Sequence, residues 1–369
     1  MSDDTVLDLR LAGGACPVHI GTDLLPRAGA LIAPLLRQAR AFLVVDANLL
    51  ATPHPGRLQR TLEEAGIGVE TLTIAAGEAS KSFAGLEALV EALLERGIER
   101  RSTILALGGG VTGDLAGFAA AILLRGVDYL QIPTTLLAQV DSAVGGKTGI
   151  NSRRGKNLVG AFKQPRAVIV DTAVLDTLPA RELRAGYAEI VKYGCIRDAE
   201  FFAWLEAHGR ELIRGDAGAR RHAIRRSLEI KAEIVARDER EESGERALLN
   251  FGHTFAHAYE ALAGYGSRLL HGEAVAIGMI AAARLSARLG LASEDDALRL
   301  RRHLEEIGLP VSLHERGLTF TPEALLARMR HDKKVTAGRL RFVLWRGIGE
   351  ALLTEAVPED MLHELLAAE

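Results

Sequence analysis

Cysteine is nearly absent from this sequence. The two that occur, Cys16 and Cys195, can build no disulfide framework, and neither sits in a C-x-x-C metal spacing. They are expected to be reduced structural thiols in a cytoplasmic protein. No apolar run approaches the ~20 residues that cross a bilayer, and Met1-Ser2-Asp3-Asp4 does not read as a secretion signal. No membrane association is expected. An excess of one charge is also missing. A net charge of −3 supplies no basic field, which argues against nucleic acid as a partner. Internal repeats and low-complexity tracts are absent too. What remains is a 369-residue chain, 48% hydrophobic and 25% charged, the ordinary balance of a soluble globular enzyme. At ~100–200 residues per domain it is long enough for two domains.

The two halves differ in texture. Up to about residue 178, short apolar runs alternate with amphipathic stretches. Segments 41–46, 69–74, 103–107 and 167–171 read as strands, and 82–96 reads as a helix closing at Gly97. That alternation implies a parallel α/β sheet with ligands at the strand C-termini. After Leu178-Pro179, segments 181–208, 217–237, 254–263, 274–289 and 294–307 are helical by pattern, and a strand signal returns only at 340–345. The expected architecture is an α/β Rossmann-like domain over residues 1–178, followed by an all-α domain over 179–369.

Directly after the strand at 104–107 comes Gly108-Gly109-Gly110-Val111-Thr112-Gly113-Asp114, a G-x-G-x-x-G match followed by a helical pattern at 115–124. Glycines there let the backbone approach a pyrophosphate, whose charge rests on the helix N-terminus. The loop lies about 100 residues into the chain rather than on a first βα turn. Asp46, at the end of an earlier strand, is placed to bind a ribose hydroxyl or simply to form a turn. Val144-Gly145-Gly146-Lys147-Thr148 imitates the end of a P-loop, but Asp141 stands where a P-loop needs glycine, so ATP or GTP hydrolysis is rejected.

The densest chemistry lies in Asn250-Phe251-Gly252-His253-Thr254-Phe255-Ala256-His257 and His271-Gly272-Glu273, which hold three of the eleven histidines. On a helix, His253 and His257 project from one face and can converge on a divalent metal; the plainer reading is two satisfied helix histidines. Asn250 and Gly252, poor helix material just before the pair, suggest a functional turn feeding the helix and favour a metal-dependent enzyme. Glu189, flanked by apolar residues, is the candidate third ligand, since buried glutamate is rare unless paired or metal-bound. Lys192 lies one turn further on. Lys147, Lys156, Arg125 and Arg246 sit in Gly-rich or apolar surroundings that want anionic partners, which suits a small substrate carrying carboxylate and phosphate.

Taken together, these segments resemble the sugar-phosphate cyclase family, and within it the 3-dehydroquinate synthases. The likeness runs from Asp46 to Asp332-Lys333-Lys334. It rests on the Gly108–Asp114 loop and on Arg125-Gly126 with Ile132-Pro133-Thr134-Thr135-Leu136-Leu137-Ala138-Gln139-Val140-Asp141-Ser142. It rests equally on Gly145-Gly146-Lys147-Thr148-Gly149-Ile150-Asn151 and Leu249-Asn250-Phe251-Gly252-His253-Thr254. The resemblance implies a homodimer that converts 3-deoxy-D-arabino-heptulosonate 7-phosphate (DAHP) into 3-dehydroquinate and phosphate, using NAD and zinc or cobalt. The implied course is transient oxidation by NAD, phosphate elimination, reduction, and intramolecular aldol closure.

By the same resemblance, Asp46, Asn48, Glu78 and Lys81 hold the adenosine end of NAD. Gly109, Gly110, Val111, Gly113 and Asp114 hold the pyrophosphate and nearby ribose. Thr134, Thr135, Leu137, Asn157, Val174, Thr177 and Leu178 complete the wall, with Lys147 and Lys156 beside them. Glu189, His253 and His271 take the metal. Arg125, Asp141, Lys147, Asn157, Lys192, Lys231, Arg246, Asn250, His257 and one of Lys333 or Lys334 meet the substrate.

Three other readings compete. Sister cyclases that make 2-deoxy-scyllo-inosose or 2-epi-5-epi-valiolone share NAD and metal but act on substrates without a carboxylate, and Lys147, Arg246 and Asn250 together favour one. A metal alcohol dehydrogenase of the glycerol dehydrogenase type shares the two-domain plan but has little use for so many cations. A catalytically dead metal-binding scaffold has no need of these Lys, Arg, Asn and His positions.

Overall fold

Apolar runs of four to eight residues, bounded by glycine, proline or acidic residues, bury both faces when they become strands. The computed structural model, which describes residues 4–11, 14–238, 244–331 and 340–368, carries nine strands before residue 180, of which Arg40–Asp46, Thr103–Gly108 and Val168–Asp171 are of this kind. They are β1 (Thr5–Leu11), β2 (Gly14–Gly21), β3 (Arg40–Asp46), β4 (Gly68–Ile74), β5 (Thr103–Gly108), β6 (Asp128–Pro133), β7 (Lys147–Ser152), β8 (Gly155–Phe162) and β9 (Val168–Asp171). Among them lie α1 (Ala28–Ile32), α2 (His54–Glu64), α3 (Phe83–Glu95) and α4 (Gly110–Ile122). Seven strands form one sheet in the order β1-β2-β9-β6-β5-β3-β4, parallel except for the β1–β2 hairpin. The pair β7–β8 forms a separate antiparallel hairpin.

Alternate residues of the central strands serve two cores. Leu43, Val45, Leu105 and Leu107 pack with Leu58 and Leu62 of α2. Phe42, Val44, Ile104 and Ala106 pack with α3 and α4 through Leu86, Leu89, Leu93 and Leu115. From β3 the chain steps to β4 on one side by way of α2, then returns past β3 to β5 and on to β6 by way of α3 and α4. The strand order therefore reverses between the neighbours β3 and β5. In an open parallel sheet that reversal opens a crevice at the strand C-termini.

By internal contact the chain divides into two units, Met1–Pro179 with Arg220–Ala232, and Ala180–Ala219 with Glu233–Glu369. The helices beyond residue 179 are α5 (Ala180–Arg197), α6 (Ala199–Arg214), α7 (Ala217–Arg237), α8 (His253–Ala263), α9 (His271–Arg288), α10 (Glu294–Ile307), α11 (Pro322–His331) and α12 (Glu359–Ala367). The pattern read as one helix over 181–208 is two. Asp198 leaves helical geometry at φ −146° and caps α6 by accepting from the Phe201 amide at 2.9 Å. The second unit is helical but not wholly so. The strand signal at 340–345 becomes β10 (Phe342–Gly347), paired with β11 (Glu350–Thr354). The middle of α7 counts with the sheet unit because Arg220 donates to the Thr172 carbonyl and Asp176, Arg221 donates to Thr22, and Lys231 donates to Asp141.

α9 is buried almost all round, from Gly272 to Ala283, as expected of a helix apolar on every face. Its neighbours approach through glycines. A Cβ on Gly272 would fall 1.8 Å from the Ala185 carbonyl oxygen of α5. A Cβ on Gly278 would fall 2.2 Å from the Gly252 carbonyl oxygen at the start of α8. The spacing of α5, α8 and α9 is thus set by backbone against backbone. Among the described residues no helix is long and apolar enough to cross a membrane.

Candidate active site

The two strand ends that flank the reversal carry the first candidates. Asp46 ends β3 and caps the following turn, accepting from the Asn48 amide at 2.9 Å; Gly108 to Gly110 follow β5, and Thr112 Oγ1 lies 3.5 Å from Asp46 Oδ2. Gly109 is the N-cap of α4 and no side chain caps the helix, which leaves its first amides for an anion. A Cβ on Gly110 would meet Ser142 Oγ at 2.9 Å, and one on Gly109 would meet Thr135 Cγ2 at 3.1 Å, so a larger residue would crowd this turn. The residues present fit a dinucleotide pyrophosphate.

Around that turn the segments after β4 and β5 are tied to the β7–β8 hairpin. Buried Lys81 pairs with Asp114 and donates to Asn157 Oδ1 at 2.5 Å. Asn151 donates to Glu78 Oε1 at 2.7 Å and accepts from the Asn157 amide at 2.9 Å. Burial pushes the Asp114 carboxyl up, and Lys81 opposes it. Thr134 donates to the Gly108 carbonyl at 2.9 Å, Thr135 Oγ1 caps the Ala138 amide, and Thr177 Oγ1 lies 2.8 Å from His54 Nε2. Val174 is buried, while Asn48, Lys147 and Thr177 are exposed. Lys147 opens a strand rather than a helix, in keeping with the rejection of a P-loop.

Two expected substrate contacts have costly backbones. Arg125 and Asn157 are non-glycine residues in the left-handed region, at φ +68° and +55°. Asparagine tolerates this region; arginine does so at roughly 1–3 kcal/mol, a strain typical of ligand-gripping turns. The shelter expected for the cations holds for Lys192 and Arg246, which are buried, but Lys156 is half-buried, and Arg125 and Lys147 are exposed because they sit on a turn and a hairpin end; Lys231 is buried as well. Lys231 Nζ donates to Asp141 Oδ1 at 2.7 Å. Arg246 is anchored by its amide to Asp238 Oδ2 at 3.1 Å, and Asn250 Nδ2 donates to the Ala247 carbonyl at 3.2 Å. Lys333 and Lys334 lie outside the described residues.

In the second unit, Glu189 of α5, His253 at the start of α8 and His271 at the start of α9 bring one ligand atom each within 4.8 Å of one another. His253 Nε2 and His271 Nε2 both stand 3.4 Å from Glu189 Oε1. Glu189 is fully buried. Lys192 pairs with its Oε2, yet neither oxygen accepts a hydrogen bond of regular geometry among the described residues. A buried carboxylate that faces two imidazole nitrogens and has only Lys192 as a close ion-pair partner among the described residues fits a divalent ion, and three protein ligands leave coordination positions open. His257 does not join the cluster; its ring stands edge-on to that of His253, with centroids 5.5 Å apart.

The electrostatics agree with the donor set. Burial alone would push Glu189 up, but Lys192 and His253 outweigh it and hold the carboxyl well below the usual carboxylate range. Burial lowers His253 to about 4, so it offers a neutral ring. At His271 burial is outweighed by the charge of Glu260 and by hydrogen bonds with Glu189 and Glu260, which raise it to about 10. A proton there sits where a divalent cation would displace it.

Two residues that the sequence reading leaves without a role stand just behind the ligands. Glu260 Oε2 lies 3.0 Å from His271 Nδ1. Its signal was its place seven residues after His253, on the same helix face. Glu273 is buried, accepts two 2.7 Å bonds from Arg181, pairs with Arg316, and accepts from the Leu270 amide at 2.9 Å. That knot clamps the first turn of α9, which carries His271.

Comparison with known proteins bears on both units. Residues 71–185 match the family described as 3-dehydroquinate synthase N-terminal, and 186–335 match 3-dehydroquinate synthase C-terminal. The chain is similar to a 3-dehydroquinate synthase of Rhodospirillum rubrum, 59% identical over 99% of this chain and 95% of the relative. It superposes on a 2-epi-5-epi-valiolone synthase from Streptomyces hygroscopicus subsp. jinggangensis solved with NAD+ and Zn2+, at TM-score 0.87 and 32% identity over 95% of each chain. A 2-deoxy-scyllo-inosose synthase complexed with carbaglucose-6-phosphate, NAD+ and Co2+ gives TM-score 0.85 at 27% identity, covering 98% of this chain and 99% of that one.

Proposed function

The chain belongs to the 3-dehydroquinate synthase family, and we propose that the sheet-edge residues and the Glu189 cluster are the two working parts of that enzyme. It is a phosphate-eliminating cyclase that acts on a sugar phosphate and uses NAD and a divalent metal. The substrate we infer is DAHP, leaving as 3-dehydroquinate and phosphate. The 59% identity to a relative of that name, against 32% and 27% for the two sister cyclases, supports this choice. So does a basic and amide set, Lys147, Arg246 and Asn250, suited to a carboxylate.

The bound groups supply a hydride acceptor that gives its hydride back within one turnover, and a Lewis acid. The protein's part is binding and proton handling. Asp46, Asn48, Glu78 and Lys81 take the adenosine end of NAD, and Gly109 to Asp114 take its pyrophosphate. Thr134, Thr135, Leu137, Val174, Thr177 and Leu178 line the cofactor, with Lys156 beside them. Glu189, His253 and His271 take the metal. Lys192 and Lys231 neutralise anionic oxygens of the substrate, Arg125 grips it from a strained turn and Asn157 from the β7–β8 hairpin, and His257 holds or moves a proton. Asp141 orients Lys231. Holding the opened chain in one conformation supplies much of the help for the final ring closure.

The observation that carries this reading is the buried Glu189 carboxylate, set with its ligand atom within 4.8 Å of those of two imidazoles. Phosphate release from DAHP should require both NAD and divalent metal, with no NADH accumulating. Steady growth of NADH absorbance in step with turnover would mean a simple dehydrogenase instead. We also propose a cytoplasmic homodimer. Two buried free cysteines suit a reducing compartment, and sedimentation would test the dimer.

A further inference from the structure

We propose that Glu260 is the positioning residue of the metal site, because its carboxylate decides which ring nitrogen of His271 faces the ion. This rests on the reading that Glu189, His253 and His271 hold the metal. Glu260 lies on α8 and is 3% exposed, so its charge needs a partner. Its Oε2 is 3.0 Å from His271 Nδ1, and the same ring's Nε2 is 3.4 Å from Glu189 Oε1. An ionised carboxylate can only accept, so Nδ1 must carry the hydrogen and Nε2 keeps its lone pair for the ion. The opposite tautomer would present an N–H to the metal and could not ligate. Glu260 is not itself a ligand, since it meets the far edge of the ring and does not belong to the three-residue cluster.

The two histidines are oriented by different means. His253 Nδ1 lies 3.2 Å from the Phe251 carbonyl, and left-handed Gly252 (φ +79°) joins that carbonyl to α8. No substitution removes a backbone carbonyl. His271 depends on a side chain that substitution does remove. α8 therefore supplies one ligand at its first turn and the orienter of another two turns later. A shift of this helix would disturb both.

The test is a Co2+ titration of chelator-stripped protein, parent against Glu260→Gln, with folding checked by circular dichroism. Glutamine keeps the size but can turn its amide N–H toward Nδ1 and hold the wrong tautomer. Metal Kd is expected to rise 10- to 100-fold, in the range typical for loss of such a partner. The visible Co2+ spectrum should change, NAD binding should not, and saturating metal should restore most of kcat. A folded variant with the parent's Co2+ affinity and spectrum overturns the proposal. A parent that binds no Co2+ overturns instead the metal-site reading beneath it. If Glu260→Gln does not fold, 15N-histidine spectra of the metal-loaded parent decide. Nδ1 protonated and Nε2 metal-bound is the expected result, and metal on Nδ1 is the refuting one.

Discussion

Gly252→Ala should damage the metal site without touching a ligand. Gly252 sits at φ +79°, and left-handed backbone costs an alanine about 1–2 kcal/mol. Its new Cβ would lie 2.6 Å from the Met279 amide nitrogen and 2.9 Å from the Gly278 carbonyl carbon. Both are backbone atoms of α9 and cannot swing aside, so a further 1–3 kcal/mol, roughly that of overpacking a core, is expected. The sum is about 2–5 kcal/mol, or a fall in Tm of roughly 4–20 °C for a unit of this size. Gly264 provides the control. It caps the other end of α8 at φ +85° with nothing within 4 Å of a built Cβ, so Gly264→Ala carries only the conformational part, about 2–8 °C. Because the Phe251 carbonyl that orients His253 adjoins Gly252, only Gly252→Ala should also lose metal. Scanning fluorimetry and elemental analysis of both variants measure this. Equal melting shifts with full metal in each would refute the argument that backbone contact sets the ligand spacing.

His253→Ala should come out empty of metal, whereas His257→Ala should retain it and lose most activity; an empty His257→Ala would make the pair a chelate. Arg246→Ala or Lys147→Ala should weaken substrate binding by about 1.5–3 kcal/mol while leaving NAD binding near the parent's value in calorimetry. Equal losses for both ligands would point to a folding defect. Burial lowers His303 to about 4, so the unfolded chain, titrating near 6.5, takes up its proton first. The contribution is complete above pH 6.5 and is lost as pH falls toward 4. It should reduce unfolding free energy by about 2 kcal/mol between pH 7 and pH 5, a component missing from His303→Gln in urea titrations.

What could be read from sequence follows from how strongly each segment declares its surroundings. β3, β5 and β9 are buried on both faces, so their apolar runs stand out; α10 alternates faces and keeps its expected bounds. β8 leaves half its residues exposed and β1 exposes Val6 and Asp8, and both carry glycine or charge, so nothing in their composition separates them from loops. His253 and His271 were legible because histidine is scarce and close spacing is informative. Glu260 and Glu273 were not assigned, since each is a single glutamate in a largely apolar helix and the groups that meet it come from other elements. The glycine contacts were legible only as a broken helix start at Gly252, because which backbone presses on which is a property of packing.

The division of α7 has a consequence for how the protein is made and cut. Neither unit is one continuous stretch of chain. A ribosome that has released residue 179 has not yet supplied Arg220, Arg221 or Lys231, which the sheet unit uses at Thr172, Thr22 and Asp141. At roughly 5–20 residues per second, those partners arrive some 2–10 s later. During that interval the sheet has all its strands but lacks the α7 contacts that complete its unit. The same interleaving means that no single cut at residue 179 yields a complete sheet unit, and a fusion or split-protein design would have to carry α7 with the first piece.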